Sequence, residues 1–363
     1  MGFYKGKKIL VTGNTGFKGT WLTQVLLRLG AQVTGIGLEP NTSPAVYDAL
    51  NQRTRIRENI VDIRDFDKVL DIFKAVKPEI VFHLAAQPLV IESYRNPRYT
   101  YDVNAMGTVN ICECVRLTDS VKSFVNVTTD KVYRNNEWEY PYRETDYLDG
   151  YDPYSNSKSC SELITASYKR SFLDEKGVAV SRCRAGNVIG GGDFSDNRII
   201  PDCYRALSVG KSIEIRNPNS IRPYQHVLEA VTFYMLVAKK QYNDKVFSGE
   251  YNVGPEGSDC ITTREMTDLF CKAWGEGVSW HPIPYEGPHE ANLLKLDTSR
   301  AKMLFHWKPI WDVNRAVEEA SKWYRVFSEN GDVIGLTDEQ IRAYLEEAKD
   351  WWDERDTVTS NDR

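Results

Sequence analysis

The run TTDKVY at residues 128–133 sets an acid, Asp130, directly before a lysine, Lys131, at the end of an apolar stretch. Farther along, YSNSK places Tyr154 and Lys158 at positions i and i+4, which on a helix share one face. A lysine ammonium near a phenol favours the phenolate and lowers its pKa, so such a tyrosine can take a proton from an alcohol near neutral pH. Two lysines, an acid and a tyrosine therefore bear on what reads as a single site. On position alone, Asp130 and Lys131 are almost as readily a solvated strand end.

A second constellation handles phosphate. VTGNTGFKGTWL carries Gly13, Gly16 and Gly19, with Thr15 and Phe17 inside the turn. Glycines permit a tight turn and close backbone approach, and the N-terminus of the helix that follows offers unpaired N–H groups to a pyrophosphate. Glu39, about 20 residues past the last glycine, stands where an acid can hold an adenosine ribose hydroxyl and repel a 2′-phosphate, so NAD is favoured over NADP. Asp62 and Ile63 could accept from an adenine amino group and cover its face, although a solvated loop acid is as good an account of Asp62. Ala85 and Ala86 are small enough for a cofactor backbone to approach, whereas His83 reads as a core histidine.

These groups need a frame. The β-branched runs 7–12, 32–37, 79–85, 123–129 and 177–185 alternate with stretches whose apolar residues recur every three or four positions, the pattern of βαβ units around a parallel sheet. The expected fold is α/β, a Rossmann-type doubly wound parallel sheet with a smaller, interleaved C-terminal α/β domain. After residue 186 the composition turns to Gly, Asp, Asn and Pro, the chemistry of loops near a ligand. A helix is expected over 226–242 and another over 337–352.

Bulk properties narrow the class. A chain of 363 residues accommodates two domains, and a net charge of −5 without long like-charge runs argues against nucleic acid as a partner. No apolar run approaches the roughly 18 residues a membrane span requires, so a cytoplasmic protein without a membrane partner is expected. The seven cysteines are scattered, Cys112 and Cys114 are too close for a zinc clip, and no metal is expected.

The glycine turn joined to Tyr154 and Lys158 resembles the short-chain dehydrogenase/reductase superfamily in its extended branch, over residues 7 to about 327. That resemblance implies NAD as cofactor, with Lys158 also holding the nicotinamide ribose, Thr129 hydrogen-bonding the same hydroxyl as Tyr154, and Asn104 matching the asparagine that opens the fourth crossover helix. RAGNVIGGGDF, NRIIPDCYRA, IRNPNSIRPYQHV and LLKLDTSRAKMLFHWKP are similar to nucleotide-sugar 4,6-dehydratases, most closely those acting on CDP-glucose. Thr129-Asp130-Lys131 stands where the thymidine-nucleotide relatives carry Thr-Asp-Glu, and PHEAN (288–292) lacks their arginines, so both departures weigh against a thymidine nucleotide.

The reaction so implied oxidises C4 of the hexose, eliminates water across C5 and C6, and returns the hydride to C6. Tyr154 would be the base for the C4 hydroxyl, Asp130 the acid for the departing C6 hydroxyl, and Lys131 either the C5 base or a cation stabilising the enolate. A lysine base at pH 7 requires a depression of roughly three pKa units, about 4 kcal/mol. For the sugar nucleotide the matching motifs offer Asn187, Arg198, Arg205 and Arg222, with Arg216 and Tyr224 framing the base and His289 and Glu290 as further contacts. Residues 1–185 with about 224–247 would bind NAD, 186–223 with about 248–327 the nucleotide sugar, and 328–363 would form a helical tail. The resemblance also implies a homodimer through helices 104–117 and 155–172, a possible tetramer, and a product feeding deoxysugars of a bacterial surface polysaccharide. A 4-epimerase shares the turn, Thr129, Tyr154 and Lys158 but has no elimination to catalyse, and a cofactor-sensing regulator would not need the full constellation.

Overall fold

A computed structural model describes residues 2–284, 287 and 293–352. Twelve strands occur among the described residues: β1 (Lys8–Thr12), β2 (Gln32–Gly37), β3 (Arg57–Ile60), β4 (Ile80–His83), β5 (Ser123–Thr129), β6 (Ala179–Ala185), β7 (Asn187–Ile189), β8 (Ile213–Ile215), β9 (Ile221–His226), β10 (Glu250–Val253), β11 (Cys260–Thr262) and β12 (Trp280–Pro282). Seven form the main sheet in the order β3-β2-β1-β4-β5-β6-β10, every pair parallel. The order reverses between β1 and β4, where a doubly wound sheet opens a crevice at its carboxyl edge. This is the expected Rossmann-type architecture. A three-stranded sheet, β11-β9-β7, and the pair β12-β8 make up the remainder.

The strands form where they do because both faces of the sheet are covered, which selects near-continuous apolar runs. Alternation then sorts side chains between two cores. Ile9, Val11, Ile80, Phe82, Val125 and Val127 enter one core with Trp21, Leu22 and Val25 of helix Phe17–Arg28 and Val231 and Met235 of helix Val227–Asn243. Leu10, Val81 and Phe124 face the other, with Val69, Phe73, Ile111 and Leu173.

Capping sets the helix that bears Tyr154 and Lys158. Asp152 accepts from Ser155 N at 3.0 Å, Pro153 occupies the first turn, and the helix runs Pro153–Tyr168 before a π turn at Lys169–Leu173. The last long helix departs from expectation. It starts at Val333 rather than 337, because Asp332 accepts from Gly335 N, and ends at Glu347 before a short Lys349–Trp352 helix. Its Val333, Leu336, Ile341, Tyr344 and Leu345 lie in the first core, so this segment packs on the body of the protein. All seven cysteines are free thiols, and Cys112, Cys114, Cys183 and Cys203 are buried as small apolar groups.

Candidate active site

The glycine turn lies against the end of β4. Gly13 has φ +73, and a Cβ there would fall 2.7 Å from Ala85 N; a Cβ on Gly19 would fall 2.0 Å from Gly13 O. Neither position tolerates a side chain. Asn14 is fully buried beneath the turn with no hydrogen-bond partner for its amide O or N, and it abuts Gly35, where a Cβ would meet it at 2.4 Å. A close-approach cradle with an unsatisfied buried amide suits a dinucleotide pyrophosphate at a helix N-terminus.

Around this cradle the expected cofactor residues divide. Thr15 Oγ1 donates to Leu38 O at 2.8 Å, and the ring of Phe17 lies 3.2 Å from a Cβ built on Gly190. Glu39 is exposed and paired with Arg53 at 2.6 Å; Asp62 forms a fork with Arg64, whose hydrogen bonds hold its carboxyl below the usual range. Ala85 and Ala86 are half-buried beside the turn. Ile63 is 4% exposed and packs against Gly107 in the second core. Asn104 is a strut: its amide bonds Gln87 N at 2.8 Å, Gln87 O at 3.1 Å and Ser157 Oγ at 2.9 Å, which spends it on joining the β4 loop to the helix of Tyr154. His83 is buried between Thr12 and Thr108, and burial pushes its pKa down to about 3, as befits a core histidine.

The carboxyl end of β5 gathers the groups expected to handle protons. Thr129 Oγ1 donates to Asp130 Oδ1 at 2.9 Å, and Asp130 Oδ2 is buried without a hydrogen-bond partner. Burial raises the Asp130 pKa, against the pull of Lys131, Thr129, Arg222 and Lys18. Lys131 is half-buried beside it. Tyr154 lies near Thr129, and burial pushes its phenol up to about 12, against Arg198 and the Thr129 hydrogen bond. Lys158 is itself brought down to about 7 by burial, with Lys18 adding to the effect, and its Nζ donates to Val127 O at 3.0 Å. Burial is the largest cause for both groups.

Of the sugar-nucleotide candidates, Asn187 on β7 and Arg222 on β9 lie on adjacent strands, while Arg198 holds Asp193 at 3.1 Å. Arg205 is tied to Asp202 and to the carbonyls of Phe194 and Ser195, and Arg216 bonds Asn197 Oδ1 at 2.7 Å. Tyr224 is 3% exposed within the first core rather than on an open face. His289 and Glu290 lie outside the described residues.

A family model described as GDP-mannose 4,6 dehydratase matches residues 10–320. The chain belongs to that family. It is 42% identical over 349 residues to the CDP-glucose 4,6-dehydratase of Salmonella typhimurium, covering 94% of this chain and 97% of that one. Two solved structures share the fold: a dTDP-glucose 4,6-dehydratase of Bacillus anthracis in complex with NAD (TM-score 0.75, 20% identity, 91% and 100% of the two chains) and a UDP-glucose 4-epimerase of Thermus thermophilus in complex with NAD (TM-score 0.76, 24% identity, 87% and 98%).

Two features of this family member escaped sequence reasoning. Lys18, inside the glycine turn, is brought down to about 8 by burial and by Arg198, and it is electrostatically coupled to Asp130, Asp193 and Lys158. A lysine one residue before the third glycine was the available signal. The second is the fully buried pair Glu162–Arg184 at 3.0 Å. Glu162 follows Lys158 by one helical turn, and the arginines in AVSRCRA interrupt an otherwise apolar strand; together these were its trace.

Proposed function

We propose that this protein catalyses the NAD-dependent dehydration of CDP-glucose to CDP-4-dehydro-6-deoxyglucose, as a hydro-lyase. The observation that carries the reading is Asp130: a buried carboxyl, raised toward its neutral form, with one oxygen bonded to Thr129 and the other unspent. A neutral carboxylic acid can hand its proton to a departing hydroxyl. An epimerase has no such hydroxyl.

Bound NAD supplies the hydride acceptor for C4 and the donor to C6, together with a positive ring charge in the oxidised form. Tyr154, oriented by Thr129, takes the proton from the C4 oxygen as the alcohol becomes a ketone. The ketone acidifies the C5 proton, which Lys131 draws off while Asp130 protonates the C6 oxygen, so that the C6–O bond breaks and water leaves. Return of the Lys131 proton to C5, with hydride at C6, restores the base, and the proton that Tyr154 took from the C4 hydroxyl replaces the one Asp130 gave up. Arg222 and Asn187 hold the diphosphate from adjacent strands, and Arg198 and Lys18 add positive charge at the same edge.

The parallel sheet with its glycine turn forms the cofactor-binding part, residues 1–185 with about 224–247, and residues 186–223 with about 248–327 form the nucleotide-sugar part. The protein works in the cytoplasm as a homodimer, and its product enters deoxysugar synthesis for a surface polysaccharide. Among the described residues no helix is long and apolar enough to cross a membrane. Met106, Leu117, Leu163 and Phe172 project exposed apolar side chains from the two helical segments expected at the dimer contact.

Incubation with CDP-, dTDP-, GDP- and UDP-hexoses, followed by mass spectrometry, tests the assignment. Loss of one water from CDP-glucose is expected. An isomer of unchanged mass would instead identify an epimerase. Lys131→Ala should abolish water loss, and full turnover in that variant would remove Lys131 from the elimination.

A further inference from the structure

We propose that Glu162, Arg184, Thr128 and Tyr133 form a buried clamp that positions the turn Thr129–Lys131 for elimination, an inference resting on the dehydratase reading above. Thr128 Oγ1 donates to Glu162 Oε1 at 2.5 Å, immediately before the turn. Arg184 holds the same carboxylate through Nε at 3.1 Å and Nη2 at 3.0 Å, and its Nη1 donates to Tyr133 Oη at 2.7 Å, just beyond the turn. Tyr133 Oη in turn donates to Asn252 Oδ1 on β10 at 2.6 Å. One ion pair, 0% and 1% exposed at its two members, thus grips the chain on both sides of Asp130 and Lys131.

The helix of Tyr154 closes the bracket. Lys158 bonds Val127 O, Ser159 Oγ bonds Val132 O at 2.7 Å, and Glu162 bonds Thr128, so positions i, i+1 and i+4 of that helix fix three points of the strand and turn. The side chains of Asp130 and Lys131 take no hydrogen bond from this network. Burying an ion pair in place of well-packed apolar side chains is often neutral or destabilising, so stability alone gives little reason for the clamp. Fixing two reacting groups against a sugar does give one, because misplacement by about 1 Å can slow a reaction about 100-fold. The four residues touch no reacting atom; they act through the turn.

Thr128→Val, Tyr133→Phe and Glu162→Gln test this, with Lys131→Ala as reference. The first two remove one hydroxyl each and keep the bulk of the side chain. Turnover of CDP-glucose is quenched with borodeuteride, and C4-deuterated sugar that keeps its C6 hydroxyl, separated by mass from C4-deuterated 6-deoxy product, counts molecules oxidised but not dehydrated. The clamp predicts a fall in kcat of about tenfold or more, KM within about twofold, and a several-fold rise in oxidised, undehydrated sugar, as in Lys131→Ala. Unchanged kcat, or a lower kcat with the oxidised fraction at the wild-type level, overturns it. If Lys131→Ala shows no rise, the elimination assignment itself has failed, and the clamp with it.

Discussion

Thr129 Oγ1 donates to Asp130 Oδ1 at 2.9 Å, and this bond turns the second carboxylate oxygen, buried and unpartnered, toward Gly186, where a Cβ would stand 3.5 Å from it. In the proposed reaction these two adjacent residues divide the chemistry, the Thr129 hydroxyl assisting the oxidation and the Asp130 acid the elimination.

Asp130→Asn removes the acid at constant shape. Dehydration should fall by about 100-fold or more, the usual yield of a positioned proton donor. Because burial raises the Asp130 pKa, ionising it works against folding: its favourable contribution is complete below the unfolded carboxyl pKa and is lost as pH rises through the folded one. Thermal unfolding at pH 8 should therefore show the Asn variant at least as stable as wild type. A variant that is less stable yet fully active would contradict both parts.

Glu229 offers a second pH test, far from the chemistry. Its carboxylate accepts from Ile310 N at 2.9 Å, Trp311 N at 2.7 Å and Tyr344 Oη at 2.6 Å, and burial raises its pKa to about 7. The raised value stabilises the fold below about pH 4.3, and that contribution is lost as pH climbs through about 7, amounting to a few kcal/mol at most. Glu229→Gln should flatten the decline in denaturant stability between pH 5 and pH 8. An unchanged slope would show that Glu229 titrates normally.

Cofactor preference should turn on Glu39 and Arg53. Arg53 pairs with Glu39 at 2.6 Å and with Glu58 at 2.9 Å, and Glu39→Ala removes the carboxylate that repels a 2′-phosphate while Glu58 keeps Arg53 in place beside it. NAD affinity should drop by about tenfold, equal to about 1.4 kcal/mol, while NADP affinity rises. Calorimetric titration with both dinucleotides measures the two changes, and an unaltered ratio would leave Glu39 a solvated loop acid.

The apolar stripe tests the dimer. Leu163→Glu with Phe172→Asp places charge on side chains that are 56% and 45% exposed in the single chain. Light scattering on the eluting peak should show a dimer in wild type and a monomer in the double variant. A dimer unaffected by both charges would move the interface elsewhere.

The linear order of residues determined what depends on local spacing. Alternating apolar runs specify a sheet covered on both faces, glycines between a strand and a helix specify a phosphate-binding turn, and Tyr154 and Lys158 share a helical face wherever that helix packs. These are properties of a short stretch of chain, so a short stretch suffices to reveal them. Tertiary structure decided everything that burial decides. Only packing shows that Asn104 is spent on Gln87 and Ser157, that Ile63 faces the second core, and that burial brings Lys158 down to about 7. The partners of Glu162, on strands β5 and β6, meet it only when the sheet closes over the helix. Desolvation and long-range pairing are set by the distance between residues remote in sequence, and spacing along the chain carries no record of that distance.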